Sequence, residues 1–289
     1  MKNQKLMPPL WIAYPQIPHM SIGWKMGYGE SYAYDFYRWF ETLSSDEQTE
    51  YIEMFPAPRS WCGYWEKSTF DNKADEMFFS HNNLYLNYWQ KDGKPLYDID
   101  WLKSKHNSGE KIEYLFFWGH RPSKNGITKS CLSQWWKSDF SEDIHEYSCM
   151  EQYMMSKKAL LFDDKEIFEQ IMACNEPNMI KSFGRKIHNF DEKIWNDVKY
   201  SIVINGNYLK FTQNRSLMNF LLSTDDKILV EASPYDKIWG IGMSENEERI
   251  NNPNEWRGEN LLGFALTEVR EEIKRVYAND KLLDDSFIK

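Results

Sequence analysis

The stretch SCMEQYMMSKKALLF, residues 148–162, predicts an α-helix that carries two charged groups on a largely apolar face. At about 100° per residue, Glu151 and Lys158 differ by only about 20° in direction and share one stripe of the helix. A carboxylate and an ammonium on such a stripe indicate either a buried ion pair or a chemical site. Alternatively, Ser148 and Glu151 form a capping box, in which the glutamate only returns a hydrogen bond to the helix N-terminus.

Other helices are predicted on both sides of this stretch. Apolar residues recur at helical spacing in residues 31–43, 164–173, 177–188 and 259–276. Ser44 or Ser45 caps a further helix, which Pro56 and Pro58 end. Residues 191–222 are ambiguous, because their periodicity favours a helix whereas the Asn205-Gly206 pair is typical of a hairpin turn.

Short strands are predicted at three places. The first covers residues 112–118 and leads into a loop that contains Asn125-Gly126. The others are KILVEAS (227–233) and IWGIGM (238–243), separated by the turn Ser233-Pro234-Tyr235-Asp236. The chain therefore mixes many helices with few strands.

The composition limits the classes of function. The 289 residues carry a formal charge of −9, which argues against a general polyanion-binding surface but leaves room for a local basic pocket. The four cysteines lack CxxC pairing and metal-type spacing, so we expect reduced thiols, no metal and a cytoplasmic protein. Neither a long apolar run nor a signal peptide is evident, so no membrane association is expected.

The first part of the chain differs from the rest. The 13 Trp, 17 Tyr and 17 Phe of the whole chain concentrate before residue 140, as expected for either a core of large rings or a stacking surface. Residues 66–110 are polar and interrupted by Asn, Asp, Gly and Pro. We therefore divide the chain into an aromatic-rich helical extension (1–108), a main domain (109–277) and a polar tail (278–289).

Three further groups are candidates for chemistry. Asp236 lies in a turn before two glycines, where it is either an aimed carboxylate or an ordinary Asx turn. Arg185 suits phosphate binding, and the carboxamides of Gln213 and Asn214 suit a base or sugar edge, although each alone is typical of surface or capping residues. GxSxG, HExxH and Walker motifs are absent from the sequence, which disfavours acyl-transfer, metal and P-loop chemistry.

In their order and spacing, these segments resemble the NADAR domain family. The resemblance covers about residues 111–275 and rests on FFWGH, SQWW, EQYMMSKKALLF, P-x-x-x-K-x-x-GRKI, KFTQN, LVEASPYDKIWGIG and NEWRGENLLGFALTEVR. It implies a compact, mostly helical α+β domain with small β elements, and it decides residues 191–212 in favour of a helix. Leu132 to Trp135 (LSQW) depart from the LSN-F of many members, and the first 110 residues are absent from minimal members.

The resemblance implies an N-glycosidase without a cofactor. Family members are associated with removing ADP-ribose from guanine, as antitoxins or repair enzymes, and with cleaving phosphorylated ribosylamino intermediates of riboflavin synthesis. The implied partners are therefore a ribosylated or ADP-ribosylated base, free or in nucleic acid. A toxin or another protein would bind through the extension. The competing hypothesis is a non-catalytic module that senses NAD-derived nucleotides such as ADP-ribose.

The same resemblance implies a set of site residues. Glu151, Lys158 and Asp236 are the catalytic candidates: the glutamate near C1 of the sugar, and the lysine as a possible Schiff-base nucleophile. The predicted substrate-binding residues are Trp118, Gly119, Ser133, Trp135, Arg185, Gln213, Asn214 and Trp239. Arg185 would hold a phosphate and the tryptophans would stack on a base. Cys131 is not expected to be a nucleophile, because no base partner is indicated.

Overall fold

The fold is known from a computed structural model that describes residues 5–19, 21–61, 63–65, 95–121, 123–124 and 126–288. Helices form most of the described elements and the strands are short, which confirms the predicted mostly helical α+β class. The α-helices are α1 (Leu10–Ala13), α2 (Tyr28–Glu41), α3 (Ser45–Met54), α4 (Ile99–Asn107), α5 (Met150–Leu161), α6 (Lys165–Met172), α7 (Pro177–Gly184), α8 (Glu192–Thr212), α9 (Arg215–Leu222) and α10 (Leu261–Val276). The strands are β1 (Tyr114–Phe117), β2 (Phe140–Glu142), β3 (His145–Tyr147) and β4 (Ile228–Glu231).

Two small sheets organise the main domain. Strands β1 and β4 are parallel, with Tyr114 opposite Ile228 and Phe117 opposite Glu231, so both strands end at the same edge. Strands β2 and β3 form an antiparallel hairpin. Residues 228–230 of β4 are fully buried, and helix α10 packs against this strand. The parallel pair therefore lies in the core, and its carboxyl edge is where a site is expected.

Helix α8 resolves the ambiguous segment. Residues 192–212 form one continuous helix, which Asp191 caps by accepting a hydrogen bond from the Ile194 amide. The hairpin alternative at Asn205-Gly206 is wrong because the glycine serves packing instead of a turn. A Cβ on Gly206 would lie 2.5 Å from the ring of Tyr153, so only glycine lets α8 approach α5 this closely. Tertiary packing overrides the local turn signal here.

Other sequence predictions need correction. IWGIGM (238–243) is not a strand but a series of bends beside β4. Helices α4 and α9 and the β2–β3 hairpin were not anticipated. The capping box at the start of α5 is also wrong in its partner: Gln152, not Glu151, accepts hydrogen bonds from the amide and hydroxyl of Ser148. By contrast, Ser44 and Glu47 form the predicted capping box of α3.

The N-terminal extension shares its core with the main domain. Its rings pack edge-on in one cluster, for example Trp11 with Trp61 and Trp65 at centroid distances of 5.4 and 5.5 Å. Leu6 forms a bridge with Leu283 near the opposite end of the described chain. The buried apolar residues of both parts belong to one continuous cluster. The aromatic groups at Phe78-Phe79 and Tyr85–Trp89 lie outside the described residues.

Buried acids on α10 bind the extension. Glu268 accepts hydrogen bonds from the Leu96 amide and the Tyr200 hydroxyl, at 2.8 Å each. Glu272 accepts a hydrogen bond from the Arg59 amide at 2.7 Å, and the Arg59 guanidinium lies 3.7 Å from the same carboxylate. Because buried carboxylates need several partners, the extension completes the hydrogen bonds of two acids that also bind Tyr200 and Arg275 of the main domain. The boundary at residue 108 stays a prediction.

Two remaining sequence predictions concern thiols and membranes. Cys131, Cys149 and Cys174 are free thiols, and Cys62 lies outside the described residues. No helix within the described ranges combines the length and apolar character that a bilayer crossing requires.

Candidate functional site

The carboxyl edge of the β1–β4 pair gathers the charged groups of the site. Strand β1 continues into Trp118 and Gly119, and the positive φ of 80° at Gly119 turns the chain sharply. Strand β4 ends on Glu231 and leads into the turn that holds Asp236. Because the strands are parallel, these two segments emerge side by side.

Glu151 provides a buried carboxyl group in this region. The residue is 3 % exposed, its Oε2 accepts a hydrogen bond of 3.2 Å from the Trp135 indole, and its Oε1 has no partner among the described residues. Burial raises the pKa of Glu151 from 4.5 to about 7, against the lowering effect of Lys181 and the Trp135 hydrogen bond. Asp236 raises this pKa further. Glu151 is therefore a proton acceptor or donor near neutral pH.

Glu231 provides a second carboxyl group, on a half-buried residue, and the sequence reasoning missed it. Its Oε2 is enclosed and has no hydrogen-bond partner in the described part of the chain. Burial raises the pKa of Glu231 to about 8, and the nearby carboxylates of Asp236 and Glu151 raise it as well. Asn260 fixes its backbone, because the Asn260 side chain accepts from the Glu231 amide and donates to the Leu229 carbonyl. Glu231 is therefore protonated at neutral pH and held in place.

Asp236 sits in an Asx turn and also belongs to the charged group. Its Oδ1 accepts hydrogen bonds from the amides of Ile238 and Trp239, at 2.9 and 2.8 Å. Asp236 is thus both an Asx-turn residue and an aimed carboxylate. Its charge raises the pKa of Glu151 and Glu231. A Cβ on Gly240 would lie 2.8 Å from the Glu231 carbonyl oxygen, so the turn requires glycine to fold against β4.

Lys181 on α7 is the principal cation of the site. Its ammonium lies 5.7 Å from the centre of the Trp135 ring and lowers the pKa of both Glu151 and Glu231. Arg185, at the end of the same helix, is exposed and lowers the pKa of Glu151 more weakly. One face of α7 and its C-terminal end therefore place two cations near Glu151, and Lys181 also acts on Glu231.

Aromatic rings surround this charged group. Trp118 is 52 % exposed and lies 6.2 Å, centre to centre, from the ring of Tyr235, which is 86 % exposed. His120 follows Trp118 by two residues, and its ring lies 5.3 Å from that of Trp135. The segment after β1 thus extends from the exposed rim to the tryptophan that contacts Glu151.

Lys158 lies on the same stripe of α5 as Glu151, but its side chain contacts other residues. Its ammonium donates a hydrogen bond of 2.9 Å to the Gly184 carbonyl and lies 4.1 Å from the centre of the Phe190 ring. Burial lowers the pKa of Lys158. These contacts hold the C-terminal end of α7 and do not include Glu151, so the structure does not bring the two catalytic candidates together. The catalytic role of Lys158 stays a prediction.

Several predicted binding residues have structural contacts. Gln213 exchanges hydrogen bonds with the backbone of Ser141 in β2, and Asn214 donates to the carbonyls of Asp139 and Lys210. Ser133 is buried, and its hydroxyl accepts a hydrogen bond from the Trp135 amide. Trp239 is half-buried at the end of the Asp236 turn. Binding roles for these four residues stay predictions.

The residues that sequence reasoning missed had weak signals. Glu231 ends an apolar strand like any solvent-facing residue, and Lys181 is one of several lysines on amphipathic helices. Tyr235 precedes Asp236 in the quoted turn, and His120 lies within FFWGH. Glu231 stands at the end of one of two adjacent parallel strands, which is where a site is expected. The pairing of β1 with β4 is not visible in the sequence, so this signal could not be used.

The raised pKa of Glu151 predicts a pH-dependent stability. The native state holds its proton up to about pH 7, whereas the unfolded chain releases it near 4.5, so the free energy of unfolding falls as pH rises between these values. Between pH 4.5 and 8, this proton release lowers the free energy of unfolding of the wild type by on the order of 3 kcal/mol. We expect the decrease, measured from urea-unfolding curves, to be absent in Glu151→Gln. Glu146→Gln, at an exposed glutamate, is the control. If the free energy of unfolding changed with pH equally in both variants, burial of Glu151 would not be the cause.

Comparison with known proteins identifies the family of the main domain. The model of the NADAR domain matches residues 116–274, which include the end of β1, the whole of β4 and the residues Glu151, Glu231 and Asp236. The chain belongs to the NADAR family. The N-terminal extension lies outside the matched NADAR residues, although it packs on NADAR helix α10.

Three curated relatives support this assignment. N-glycosidase R617 of Acanthamoeba polyphaga mimivirus is 46 % identical over 169 residues, which are 56 % of this chain and 98 % of that protein. Protein irg-1 of Caenorhabditis elegans is 40 % identical over 46 % of this chain and 63 % of its own length. N-glycosidase Npun_R5314 of Nostoc punctiforme is 30 % identical over 45 % of this chain and 76 % of its own length.

Proposed function

We propose that the protein is an N-glycoside hydrolase that cleaves the C1–N bond of a ribosylated base or amine. The carrying observation is the pair of carboxyl groups of Glu151 and Glu231, beside Asp236. Each has a raised pKa and one enclosed oxygen that lacks a hydrogen-bond partner among the described residues. The names of two relatives, N-glycosidase R617 and N-glycosidase Npun_R5314, support the same class of reaction.

Cleavage of a C1–N bond needs two kinds of carboxyl group. Positive charge develops on the sugar ring, so an ionised carboxylate near C1 stabilises the transition state, while the departing nitrogen needs a proton. Glu231, with a pKa of about 8, carries a proton at neutral pH and suits the role of general acid. Glu151, with a lower pKa of about 7, suits the carboxylate near C1 and the base for water.

The bond changes then involve the substrate, one water molecule and these two carboxyl groups. The C1–N bond breaks with its electron pair moving to nitrogen, which takes the proton of Glu231. Water adds to C1 and gives its proton to Glu151, so the two carboxyl groups exchange their protonation states. Lys181 stabilises the negative charge that Glu231 acquires, because it already lowers the pKa of this group.

A lysine route is the competing mechanism. In that route, an amine attacks C1 of the ring-opened sugar and forms a Schiff base that water later hydrolyses. Lys158 is the nucleophile that the family resemblance suggests, and its lowered pKa suits this role. Lys181 is the candidate that the geometry adds, because it acts on both carboxyl groups.

The substrate class is a finer proposal. We favour either guanine carrying ADP-ribose or a phosphorylated ribosylamino-pyrimidine, as the family resemblance implies. The exposed rings of Trp118 and Tyr235 offer stacking surfaces for a planar base, and the exposed guanidinium of Arg185 suits a phosphate. The formal charge of −9 disfavours a long duplex footprint, so a small metabolite or a single modified base fits better.

The test combines substrate screening with trapping. The protein is incubated with an oligonucleotide carrying ADP-ribosylated guanine, with ribosylamino-pyrimidine phosphate and with NAD, and mass spectrometry records the released sugar. We expect release from one of the first two. Binding without release from any of them would favour the sensing module instead of a hydrolase.

Sodium borohydride is then added during turnover with the substrate that is cleaved. A covalent adduct that disappears in Lys158→Ala, or in Lys181→Ala, assigns the lysine route to that residue. Full turnover without an adduct supports direct attack by water. Lys103→Ala, at a half-buried lysine of α4, serves as the matched control.

A further inference from the structure

Lys210 is a fully buried lysine that the mechanism above does not use. It lies on α8 with no exposed surface, and its ammonium donates hydrogen bonds to the carbonyls of Cys131 and Ser133, at 2.6 and 3.2 Å. The ring of Phe211 lies 5.1 Å from the ammonium. A buried ammonium whose described partners are neutral is costly, so its presence calls for an explanation.

The two carbonyls belong to the segment that holds Glu151. Cys131 is in a short 3-10 helix, Lys129–Leu132, and Ser133 follows it directly. The next residue, Gln134, accepts a hydrogen bond from the Glu151 amide at 2.9 Å. Trp135 then donates its indole N–H to the Glu151 carboxylate. Lys210 therefore fastens one end of a five-residue segment whose other end binds Glu151 twice.

We propose that Lys210 is a positioning residue for the carboxyl group of Glu151, acting through the carbonyls of Cys131 and Ser133 and the indole of Trp135. An ammonium suits this task because its three N–H groups can satisfy two converging carbonyls at once. A methionine would fill the same volume but leave the Cys131 carbonyl without its Lys210 donor and the Ser133 carbonyl with only the Trp136 amide, which frees the segment to move. This proposal depends on the proposed function only in the experiment that measures turnover.

The groups around Glu151 determine how movement of residues 131–135 would change its pKa. Lys181 and Arg185 face it from α7, Asp236 faces it from the turn after β4, and the Trp135 indole binds it directly. Of these, only Trp135 lies on the segment that Lys210 holds. Because the Trp135 hydrogen bond lowers the pKa of Glu151, loosening the segment should raise that pKa further.

The first measurement does not depend on hydrolysis. The side-chain carboxyls of ¹³C-labelled glutamates are titrated by NMR, and the Glu151 signal is assigned by its loss in Glu151→Gln. We expect Lys210→Met to raise the Glu151 midpoint by about one pH unit. Trp135→Phe should give a similar rise, and the double variant should give no more than either, because both changes remove the same hydrogen bond.

The second measurement is turnover with the substrate that is cleaved. Lys210→Met should lower kcat by about 10- to 100-fold with little change in KM, as expected for a misplaced reacting group. Lys157→Met is the matched control: the Lys157 side chain is largely buried, at 14 % exposed, but it pairs with Glu142 and contacts Tyr153. It should lower the melting temperature without moving the Glu151 midpoint.

Three outcomes would overturn the proposal. One is a Lys210→Met protein that is less stable but titrates Glu151 at the wild-type midpoint. Another is additivity of the Lys210 and Trp135 changes, which would mean independent effects. The third is an unchanged midpoint in Trp135→Phe, which removes the proposed path even if Lys210→Met does not fold. Lys210→Gln, which keeps N–H donors, then carries the remaining measurements. Absence of hydrolysis with a shifted midpoint would refute the proposed function alone.

Discussion

Glu231→Gln is expected to lower kcat by about 10²- to 10⁴-fold while the protein stays folded, because glutamine keeps the shape of the side chain but cannot give a proton to the leaving nitrogen. The wild-type rate should fall above about pH 8, where Glu231 loses its proton. In the variant this basic limb should disappear. Both effects are measured as steady-state rates between pH 5 and 9.

Two variants control this result. Glu146→Gln removes an exposed carboxylate from β3 and should leave the rate unchanged. Glu151→Gln should also lower kcat strongly, but the limb that it removes is the acidic one, near pH 7. If Glu231→Gln kept wild-type kcat and a basic limb, another group would be the general acid.

Removal of residues 1–108 is expected to destabilise the NADAR domain severely. The deletion removes the Leu96 and Arg59 amides that donate to Glu268 and Glu272 of α10, and it exposes apolar side chains of the core that both parts share. Each apolar side chain that loses its burial costs about 1.5–3 kcal/mol, so the loss of several of these contacts is large. We expect the fragment 109–289 to be insoluble or to melt far below the full chain in calorimetry.

A matched variant separates charge from packing in this prediction. In the fragment, Glu268→Gln with Glu272→Gln removes both charges and should recover little of the melting temperature, because these acids keep Tyr200 and Arg275 as partners and the main loss is packing. If the unmodified fragment melted within a few degrees of the full chain, the extension would be an independent appendage. The division at residue 108 would then describe folding units as well as sequence segments.

Helices and family were accessible from the sequence, because local periodicity and a long ordered set of motifs carry them. The segments around α5, α6, α7 and α10 were predicted with small errors at their ends. The KILVEAS strand was also found. IWGIGM was misjudged because its apolar residues fold as bends against β4, and Gly206 was misjudged because its contact with Tyr153 is not local.

Within the candidate site, the sequence pointed to Glu151 and Asp236 but not to their closest partners. Glu151 and Lys158 do lie on one stripe of α5, yet about 10 Å of helix rise separates them. The Lys158 side chain found the Gly184 carbonyl of α7 instead. Helical spacing fixes the direction of a side chain from its own axis, whereas packing of neighbouring helices fixes what the side chain meets.

By itself, the sequence determined the helical elements, the family and one buried carboxyl candidate, Glu151. Only the tertiary structure decided that Glu231 and Lys181 join it and that Lys210 anchors the segment beside it. The reason is physical: β1 and β4 pair across more than a hundred residues of chain, as Tyr114 opposite Ile228 shows. The pKa values of Glu151 and Glu231 arise from burial and neighbouring charge, which exist only after that pairing has formed.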